Sequence, residues 1–286
     1  GLMREMQVIA NNIANANTAG YTRKIADPTA RILAGEGAGV TLGVERRIVD
    51  QQVLTDLRNT ISDRERDKAV SDLLGEFEQS FGQPGDSFSI SHRIDDLRVA
   101  FERLHSAPEN VVLQAAVVEA AQDLTNEFNS LSSTIQTLRE KADQGINDAV
   151  SEVNAALQRI EELNVDIAER VAGGKSTADL EDLREVQLEL ISEKLGINTF
   201  MRNDGTVNVL TEASSFLLEI DAKTISFSPQ GNIGVTTVLG QNGTPPGAGD
   251  LSVDNISITN DITKGEIGGF LQLRDTGCTN DVGQQE

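Results

Sequence analysis

The residues of this chain that could do chemistry are few, and the most suggestive are Gly174, Lys175 and Ser176, which could cradle a phosphate. A phosphate-binding P-loop also needs a glycine five residues before Gly174, but that position is Glu169. The loop must follow a strand, whereas the residues before it have a helical pattern. A glycine-rich helix end followed by a capping Ser or Thr explains the stretch, so we expect no nucleotide site there.

Other residue types used in catalysis and metal binding are equally sparse. Neither of the two histidines, His92 and His105, lies in a His-Glu-x-x-His motif. The single cysteine, Cys278, has no basic neighbour that would activate its thiol. Asp204-Gly205 resembles part of a calcium loop, but the other ligand positions are missing. The sequence therefore predicts a protein that is not an enzyme, with no cofactor and no metal site.

The composition excludes several classes of protein before any element is placed. A net charge of −21 and an isoelectric point near 4.4 disfavour electrostatic binding to nucleic acid or to an anionic membrane. No apolar run approaches the roughly 18 residues of a membrane span, and the first residues do not resemble a secretory signal. The 286 residues suggest about two domains. Aromatic residues are only 3%, so small aliphatic side chains must form the cores.

The element that must organise the rest is one long helix, predicted from Glu109 to Val171. Its apolar residues alternate in steps of four and three, a period near 3.5 that keeps one seam facing a partner. One extra step of four, at Ala142–Ile146, is a stutter that relaxes the seam without ending the helix. At about 1.5 Å per residue this helix is roughly 90 Å long, which predicts a rod. The seam comprises Val117, Ala121, Leu124, Phe128, Leu131, Ile135, Leu138, Ala142, Ile146, Ala149, Val153, Ala156, Ile160, Leu163 and Ile167.

The first 43 residues are expected to form a helix and a connector. The helix is predicted over residues 1–17, because apolar side chains recur there at steps of four and three and Asn, Thr and Gly then crowd together. Residues 24–43 contain Pro28 and several glycines, so we expect an extended connector with a short strand at Gly39–Val44. The apolar residues of the helix are Leu2, Met6, Ile9, Ile13 and Ala16.

Two further helices are predicted before the long one. The first runs from Val44 to Phe81 and ends at a turn over residues 83–86. Ser89 or Ser91 then caps a shorter helix with apolar residues at four-three spacing. Pro108 is expected in the first turn of the long helix, where a missing N–H costs nothing.

After the long helix the pattern changes from helical to extended. Residues 178–195 predict a helix that folds back on the long one, and residues 265–275 predict another helix. The residues expected to face inward from the first of these are Leu180, Leu183, Val186, Leu190 and Ile191. Between them, short strands are predicted at 197–201, 206–210, 215–220, 224–227, 233–238 and 251–258, with a hairpin turn at Asn203–Gly205.

One stretch near the start has a sequence that resembles that of a known protein family. Residues 11–23 read Asn-Asn-Ile-Ala-Asn-Ala-Asn-Thr-Ala-Gly-Tyr-Thr-Arg. This resembles the N-terminal signature of flagellar rod, hook and hook-associated proteins, and its Tyr-Thr-Arg ending is most similar to the first hook-associated protein family. Weaker but collinear similarity to that family continues through residue 275. The resemblance implies that the following are assembly residues: Ile9, Asn12, Ile13, Asn15, Asn17, Gly20 and Tyr21.

The resemblance implies a mainly α fold, an elongated antiparallel helical bundle with a small all-β domain and incomplete terminal helices. We expect an assembly helix and connector (1–43), a bundle (44–196), a β domain (197–262), and a return helix with an irregular tail (263–286). Relatives continue with long C-terminal helices, which the residues from 276 onward do not resemble.

The implied role is a structural subunit that joins hook to filament by helical self-assembly. The implied partners are hook protein, the next hook-associated junction protein, copies of the chain in the axial ring, and an export chaperone. The implied location is the extracellular flagellum, reached by flagellar export.

Three other interpretations remain open from the sequence. The chain resembles other hook or rod subunits mainly at the N-terminal signature, and the helices of 109–195 argue against that assignment. A coiled-coil adaptor could homodimerise through the seam of 117–167. A carbohydrate-binding β domain at 197–262 is weakened by the lack of Trp and Tyr there.

Overall fold

The computed structural model describes residues 2–33, 36–80, 89–230 and 249–276. The turn predicted at 83–86 and the strand predicted at 233–238 lie outside the described residues, as does the tail after residue 276. In the described ranges no helix is both long enough and apolar enough to cross a bilayer.

Six α-helices account for most of the described chain. Their bounds are α1 Leu2–Ala14, α2 Gln51–Ser80, α3 Ile90–Ser106, α4 Val111–Ala172, α5 Ala178–Lys194 and α6 Gly265–Leu271, and a π-helical turn follows at Gln272–Thr276. The predicted long helix is confirmed in α4, which has 62 residues. The predicted cap of α3 is also confirmed, because Ser89 Oγ accepts the His92 N–H at 3.3 Å.

The start of α4 differs from the prediction by a few residues. Asn110 Oδ1 accepts the backbone N–H groups of Val112 and Leu113 at 2.9 and 3.4 Å, so Asn110 is the cap and Pro108 lies before the helix. An asparagine oxygen satisfies two otherwise unpaired N–H groups, whereas a proline only removes one. The helix ends at Gly173 and Gly174, the latter with φ +60°.

The predicted seam of α4 is buried in its second half only. The first half of the helix packs mainly on α3, and Phe128 remains 51% exposed. From Ala142 to Ile167 the seam is covered by α2, α5, α6 and the strands. That half therefore lies in the core of a single chain, which argues against homodimerisation through it.

The stutter in the seam is where the return helix crosses α4. A side chain at Gly145 would place its Cβ 2.5 Å from Phe270 Cε2, so glycine leaves room for that ring. Next to it, the fully buried Arg274 pairs with Asp143 at 2.9 Å. Arg139 Nε also donates to the Arg274 carbonyl at 3.0 Å. The stutter at Ala142–Ile146 thus lies where α6 and the π-helical turn after it pack against α4.

Residues 24–33 and 36–47 pair as a β-hairpin, which corrects the predicted connector and the predicted helix start at Val44. The short strand predicted at Gly39–Val44 lies within the second strand of this hairpin. Strands β1 (Lys24–Leu33) and β2 (Glu36–Arg47) pair antiparallel, and the register shifts between Ala26 and Pro28, where an N–H is missing. The last residues of β2 complete this ladder, so α2 begins only at Gln51. Glycines and the register shift hide the alternation that a strand normally shows in sequence.

The later strands form two small antiparallel sheets of three strands each, in the orders β3-β4-β5 and β6-β7-β8. The strands are β3 Ile197–Met201, β4 Val207–Thr211, β5 Phe216–Leu218, β6 Ile225–Ser226, β7 Ser252–Val253 and β8 Ile256–Ser257. The hairpin turn at Asn203–Gly205 is confirmed, with the Arg202 N–H donating to the Thr206 carbonyl at 2.8 Å and Gly205 at φ +83°.

Buried residues of the strands and of α4, α5 and α6 belong to one apolar cluster that includes Leu157, Ile191, Leu217 and Ile225. The domain boundary at residue 197 therefore stays a prediction.

Two asparagines of α4 attach strands to the helix in the same way. Asn164 Nδ2 donates to the Val207 carbonyl at 2.9 Å, and Asn164 Oδ1 accepts the Val207 N–H at 3.1 Å. Asn154 makes the same pair of bonds with Ile225, at 2.8 and 2.9 Å. A side-chain amide carries one donor and one acceptor in the arrangement of a peptide group, so it can replace a neighbouring strand. These asparagines satisfy strand backbone that would otherwise be buried without partners.

Candidate functional site

The face of α1 that was predicted to be apolar is turned to solvent. Of the predicted residues, Met6, Ile9 and Ile13 are 60%, 53% and 72% exposed. Met3, which was not among them, adds to this face at 87% exposed, whereas Val8 on the opposite side is 6% exposed. Adjacent large apolar side chains exposed on one helix face are a common mark of an interaction surface. The helix is therefore anchored through one face and free on the other.

The anchored side depends on Asn12. Its Nδ2 donates to the Lys24 carbonyl at 2.8 Å, and its Oδ1 accepts the Lys24 N–H at 2.9 Å. The Tyr21 hydroxyl donates to the same oxygen at 2.9 Å. Asn12 thus pairs with the first residue of β1 as Asn164 pairs with Val207. This contact joins the end of α1 to the hairpin.

The loop between α1 and β1 is shaped by its own small residues. Asn15 Nδ2 donates to the Asn11 carbonyl at 3.0 Å, and the Thr18 hydroxyl donates to Asn15 Oδ1 at 3.2 Å. Gly20 has φ +76°, and a Cβ there would lie 2.4 Å from Val186 Cγ2 of α5. Only glycine satisfies both the backbone conformation and the close approach to α5. Asn17 is exposed.

Beneath this loop, α5 presents a stripe of carboxylates spaced three residues apart, which we call the acidic stripe: Asp179, Asp182 and Glu185. Lys24 pairs with Asp179 and lies 3.2 Å from Asp182 Oδ2. Arg47 Nη1 lies 3.3 Å from Asp182 Oδ1. The stripe therefore receives a cation from each of the two hairpin strands, at the base of the hairpin.

The third cation comes from α2. Arg58 pairs with Glu185, and its Nη2 donates to Thr199 Oγ1 at 3.1 Å. The Arg47 guanidinium extends the network, with its Nε 2.8 Å from Glu181 Oε2 and its Nη2 3.6 Å from Glu185 Oε2. The side chains of Arg47, Arg58 and Glu185 are each less than one tenth exposed. Such buried pairs are little screened by salt, and removal of one partner would leave the other charge buried without compensation.

The pKa of Lys24 reports the balance of forces at this network. Burial of the ammonium group lowers its pKa, but hydrogen bonds and charge attraction from Asp179 and Asp182 outweigh that effect and raise the pKa above its usual value. Its ammonium also lies 4.3 Å from the centre of the Tyr21 ring. The lysine therefore stays charged at every physiological pH and holds the loop, the hairpin and α5 together.

This network corrects the predicted orientation of α5. The prediction placed Leu183 and Val186 inward, but they are 50% and 38% exposed, while Asp182 and Glu185 are buried. Ile191 is buried as predicted. The spacing of three between the carboxylates was visible in the sequence, but their cations lie more than a hundred residues away. Periodicity alone therefore favoured the apolar side chains.

The exposed apolar face of α1 is suited to binding another polypeptide. Within the described residues, no group of three or more His, Cys, Asp or Glu side chains is placed to hold a metal ion. Asn15, Thr18, Tyr21 and Thr22 of the loop, like the carboxylates of the stripe, already have partners within the chain. In the described part of this region, the apolar face of α1 is the surface that remains exposed.

Known proteins support the fold. The solved flagellar hook junction protein FlgK from Burkholderia pseudomallei superposes with a TM-score of 0.63 at 15% identity, covering 77% of this chain and 39% of that one. At that identity the likeness concerns the fold alone. It confirms the predicted class, a mainly α protein with a small β part.

Curated relatives share the chain's sequence at low identity. "Flagellar hook-associated protein 1" of Salmonella typhimurium is 24% identical over 220 residues, 74% of this chain and 39% of the relative. The Escherichia coli protein of the same name is 22% identical over 278 residues, 94% of this chain and 49% of the relative. The chain thus spans less than half the length of these curated relatives.

Two family models match the sequence. The flagella basal body rod protein model matches residues 2–22. These contain α1 and most of the loop between α1 and β1 (residues 15–23), here called the signature loop. The model for the flagellar hook-associated protein FlgK helical domain matches residues 74–284, well over half of the chain. The chain belongs to the FlgK helical-domain family of flagellar hook-associated proteins.

Proposed function

We propose that this chain is a structural subunit of the bacterial flagellum that joins the hook to the filament. Family membership and the curated relatives named hook-associated protein 1 support this role. The chain spans less than half of those relatives, so the role of the whole protein is carried to it as a proposal.

The observation that carries the proposal is the exposed apolar face of α1. Four large side chains, Met3, Met6, Ile9 and Ile13, lie more than half exposed on one helix face. Burying such a side chain against a neighbour gains about 1.5–3 kcal/mol. A ring of identical copies would bury this face many times over, which favours helical self-assembly without any chemical step.

We assign two roles within the seven predicted assembly residues. Ile9, Ile13, Asn15 and Asn17 are proposed to contact neighbouring subunits. Asn12, Gly20 and Tyr21 are proposed to act from inside the subunit, since they fix the loop against β1 and α5. The signature would then combine a contact surface with the structure that orients it.

The proposed partners are hook protein on one side, the next hook-associated junction protein on the other, copies of this chain, and an export chaperone. The proposed location is the extracellular flagellum. A net charge of −21 disfavours nucleic acid and anionic membranes as partners.

Binding to isolated flagellar hooks tests the proposal. Ile9 and Ile13 are replaced together by Asp, and co-sedimentation with purified hooks is measured over a range of chain concentrations. We expect at least about a tenfold loss of affinity, since a charge replaces apolar contact area at two positions. Circular dichroism should be unchanged, because both side chains are exposed.

The matched control is Ile220→Asp. Ile220 is 73% exposed, almost the same as Ile13 at 72%, but it lies after β5, among the strands. This variant should bind as the parent does. Equal binding by the parent and the α1 variant, or no binding by the parent, would contradict the proposal.

A further inference from the structure

The described part of residues 2–47, here called the N-terminal module, consists of α1, the signature loop and the hairpin. Among its residues with described side chains, Val8 is the only apolar side chain that is buried. The buried side chains that tie the module to the rest of the protein are instead Lys24 and Arg47. An ionic contact, and not an apolar core, therefore joins the module to α5.

Asp182 is the centre of that contact. Its Oδ1 accepts the Thr22 hydroxyl at 2.5 Å, and its Oδ2 accepts the Thr22 N–H at 3.3 Å. Lys24 Nζ and Arg47 Nη1 lie 3.2 and 3.3 Å from the same carboxylate. A single side chain that is 9% exposed thus bonds to the signature loop and to both strands of the hairpin.

The hairpin itself needs this carboxylate. Lys24 and Arg47 are direct partners across the β1–β2 ladder. Two like charges directly opposite each other on paired strands repel, so the base of an isolated hairpin would be destabilised. The acidic stripe removes that repulsion only while the hairpin lies on α5. Formation of the hairpin base and docking on α5 are therefore coupled.

The same contact determines where α1 points. Asn12 is bonded to the backbone of Lys24, and Lys24 is bonded to Asp182. Arg4 adds an ion pair from α1 to Glu45 of β2 at 3.3 Å. The helix is thus attached to the hairpin, and the hairpin is attached to α5. Asp182 is therefore connected to α1 through Lys24 and Asn12.

We propose that Asp182 is a positioning residue that sets the direction of α1 relative to α5, and that the module reorients about this ionic contact when it is broken. The coupling concerns the monomer alone. Its meaning for assembly, that the apolar face of α1 is presented at a defined angle, rests on the proposed function above.

The distance between α1 and α5 in the monomer tests the proposal. Spin labels are placed at Ala10→Cys on α1 and Glu193→Cys on α5, both exposed positions, with Cys278→Ser in the background. In the parent we expect one narrow distance distribution by pulsed electron resonance. In Asp182→Asn we expect about a twofold broader distribution, because the buried cations lose their charged partner.

Asp72→Asn, the same change at an exposed position of α2, is the matched control and should leave the distribution narrow. Thr22→Val is a second variant that removes only the hydroxyl donor and should broaden the distribution less. If circular dichroism shows that Asp182→Asn does not fold, the proposal is decided by whether the distance distribution of Thr22→Val is broader than that of the parent.

Distributions in Asp182→Asn and Thr22→Val as narrow as the parent's would overturn the proposal. Hook binding, measured in parallel, separates this inference from the proposed function. Broadened distances without hook binding by the parent would support the coupling while contradicting the assembly role. Hook binding by the parent together with unchanged distance distributions in the variants would support the assembly role and contradict the coupling.

Discussion

Two β segments of this molecule are attached to helices by the same kind of asparagine contact but in different surroundings, one apolar and one ionic. In both, an asparagine of a helix bonds to a strand backbone through its donor and its acceptor, Asn12 on Lys24 and Asn164 on Val207. The strand residue that Asn164 binds, Val207, belongs to the apolar cluster shared with α4 and α5. Around Asn12 lies the ionic network of the acidic stripe.

The difference in surroundings predicts a difference in local stability. Each fully buried aliphatic side chain contributes about 1.5–3 kcal/mol, whereas buried ion pairs roughly offset their own desolvation. Strands β3–β7 contribute buried side chains to the apolar cluster of the helices, so the two sheets should unfold only with the helices. The hairpin β1–β2 should open at lower free energy, as expected for the part that presents the proposed assembly helix.

The largest effect should come from the apolar side of the comparison. Leu217→Ala removes a side chain with no solvent exposure from the shared cluster, and we expect a loss of about 3 kcal/mol in the free energy of unfolding. Urea unfolding followed by circular dichroism measures it. A single transition should persist, because strands and helices unfold together. A second transition would instead separate strands β3–β8 from the helices.

A matched pair of asparagine variants compares the two docking sites directly. Asn164→Leu leaves the Val207 N–H and carbonyl unpaired and deprives Arg184 of the Asn164 Oδ1 acceptor at 3.0 Å. We expect a global loss of about 2 kcal/mol. Asn12→Leu removes the same bonds from Lys24, but the half-buried site admits water. There we expect about 1 kcal/mol, lost from the hairpin alone.

Hydrogen exchange of the two backbone amides is the measurement. The amide of Val207 should exchange through global unfolding in the parent and in Asn12→Leu. The amide of Lys24 should exchange faster in Asn12→Leu while global stability stays the same. Equal acceleration of both amides in either variant would remove the distinction between the two segments.

The sequence predicted the helices well because each carries its own periodicity. The 62-residue α4 and the turn before β4 follow from local patterns and were placed within a few residues. Of the hairpin β1–β2 only the strand at Gly39–Val44 was predicted, because Pro28 and several glycines break the alternation of a strand. A feature that depends on one stretch of chain can be predicted from that stretch.

The acidic stripe was missed for a different reason. Asp182 and Glu185 are buried because Arg47 and Arg58 reach them from distant parts of the chain. No local pattern distinguishes such carboxylates from the solvated charges elsewhere on these helices. The same holds for Asn12, Asn154 and Asn164, whose partners are strand backbones. Polar burial is decided by tertiary contacts, which the sequence does not display.

The smallest expected effect concerns Glu189, a carboxylate one turn beyond the acidic stripe that makes no ion pair with the described residues. Burial raises the pKa of its carboxyl group, repulsion from Glu185 adds to this, and Arg58 opposes it. A pKa raised in the folded state means that the charged form opposes folding. The penalty is absent below the unfolded pKa and sets in as the pH rises through the folded pKa.

Glu189→Gln should therefore stabilise the protein at pH 7 by about 0.5 kcal/mol, a value kept small because the group is partly exposed and screened by solvent. In urea unfolding from pH 5 to pH 8, the advantage over the parent should grow with pH and then level off. Glu119→Gln, the same change at an exposed position of α4, is the control and should leave the free energy of unfolding unchanged. A gain that does not depend on pH would mean that Glu189 opposes folding through its shape and not its charge. The carboxylates of α5 would then differ in packing, and the contrast between paired and unpaired charge on this helix would fail.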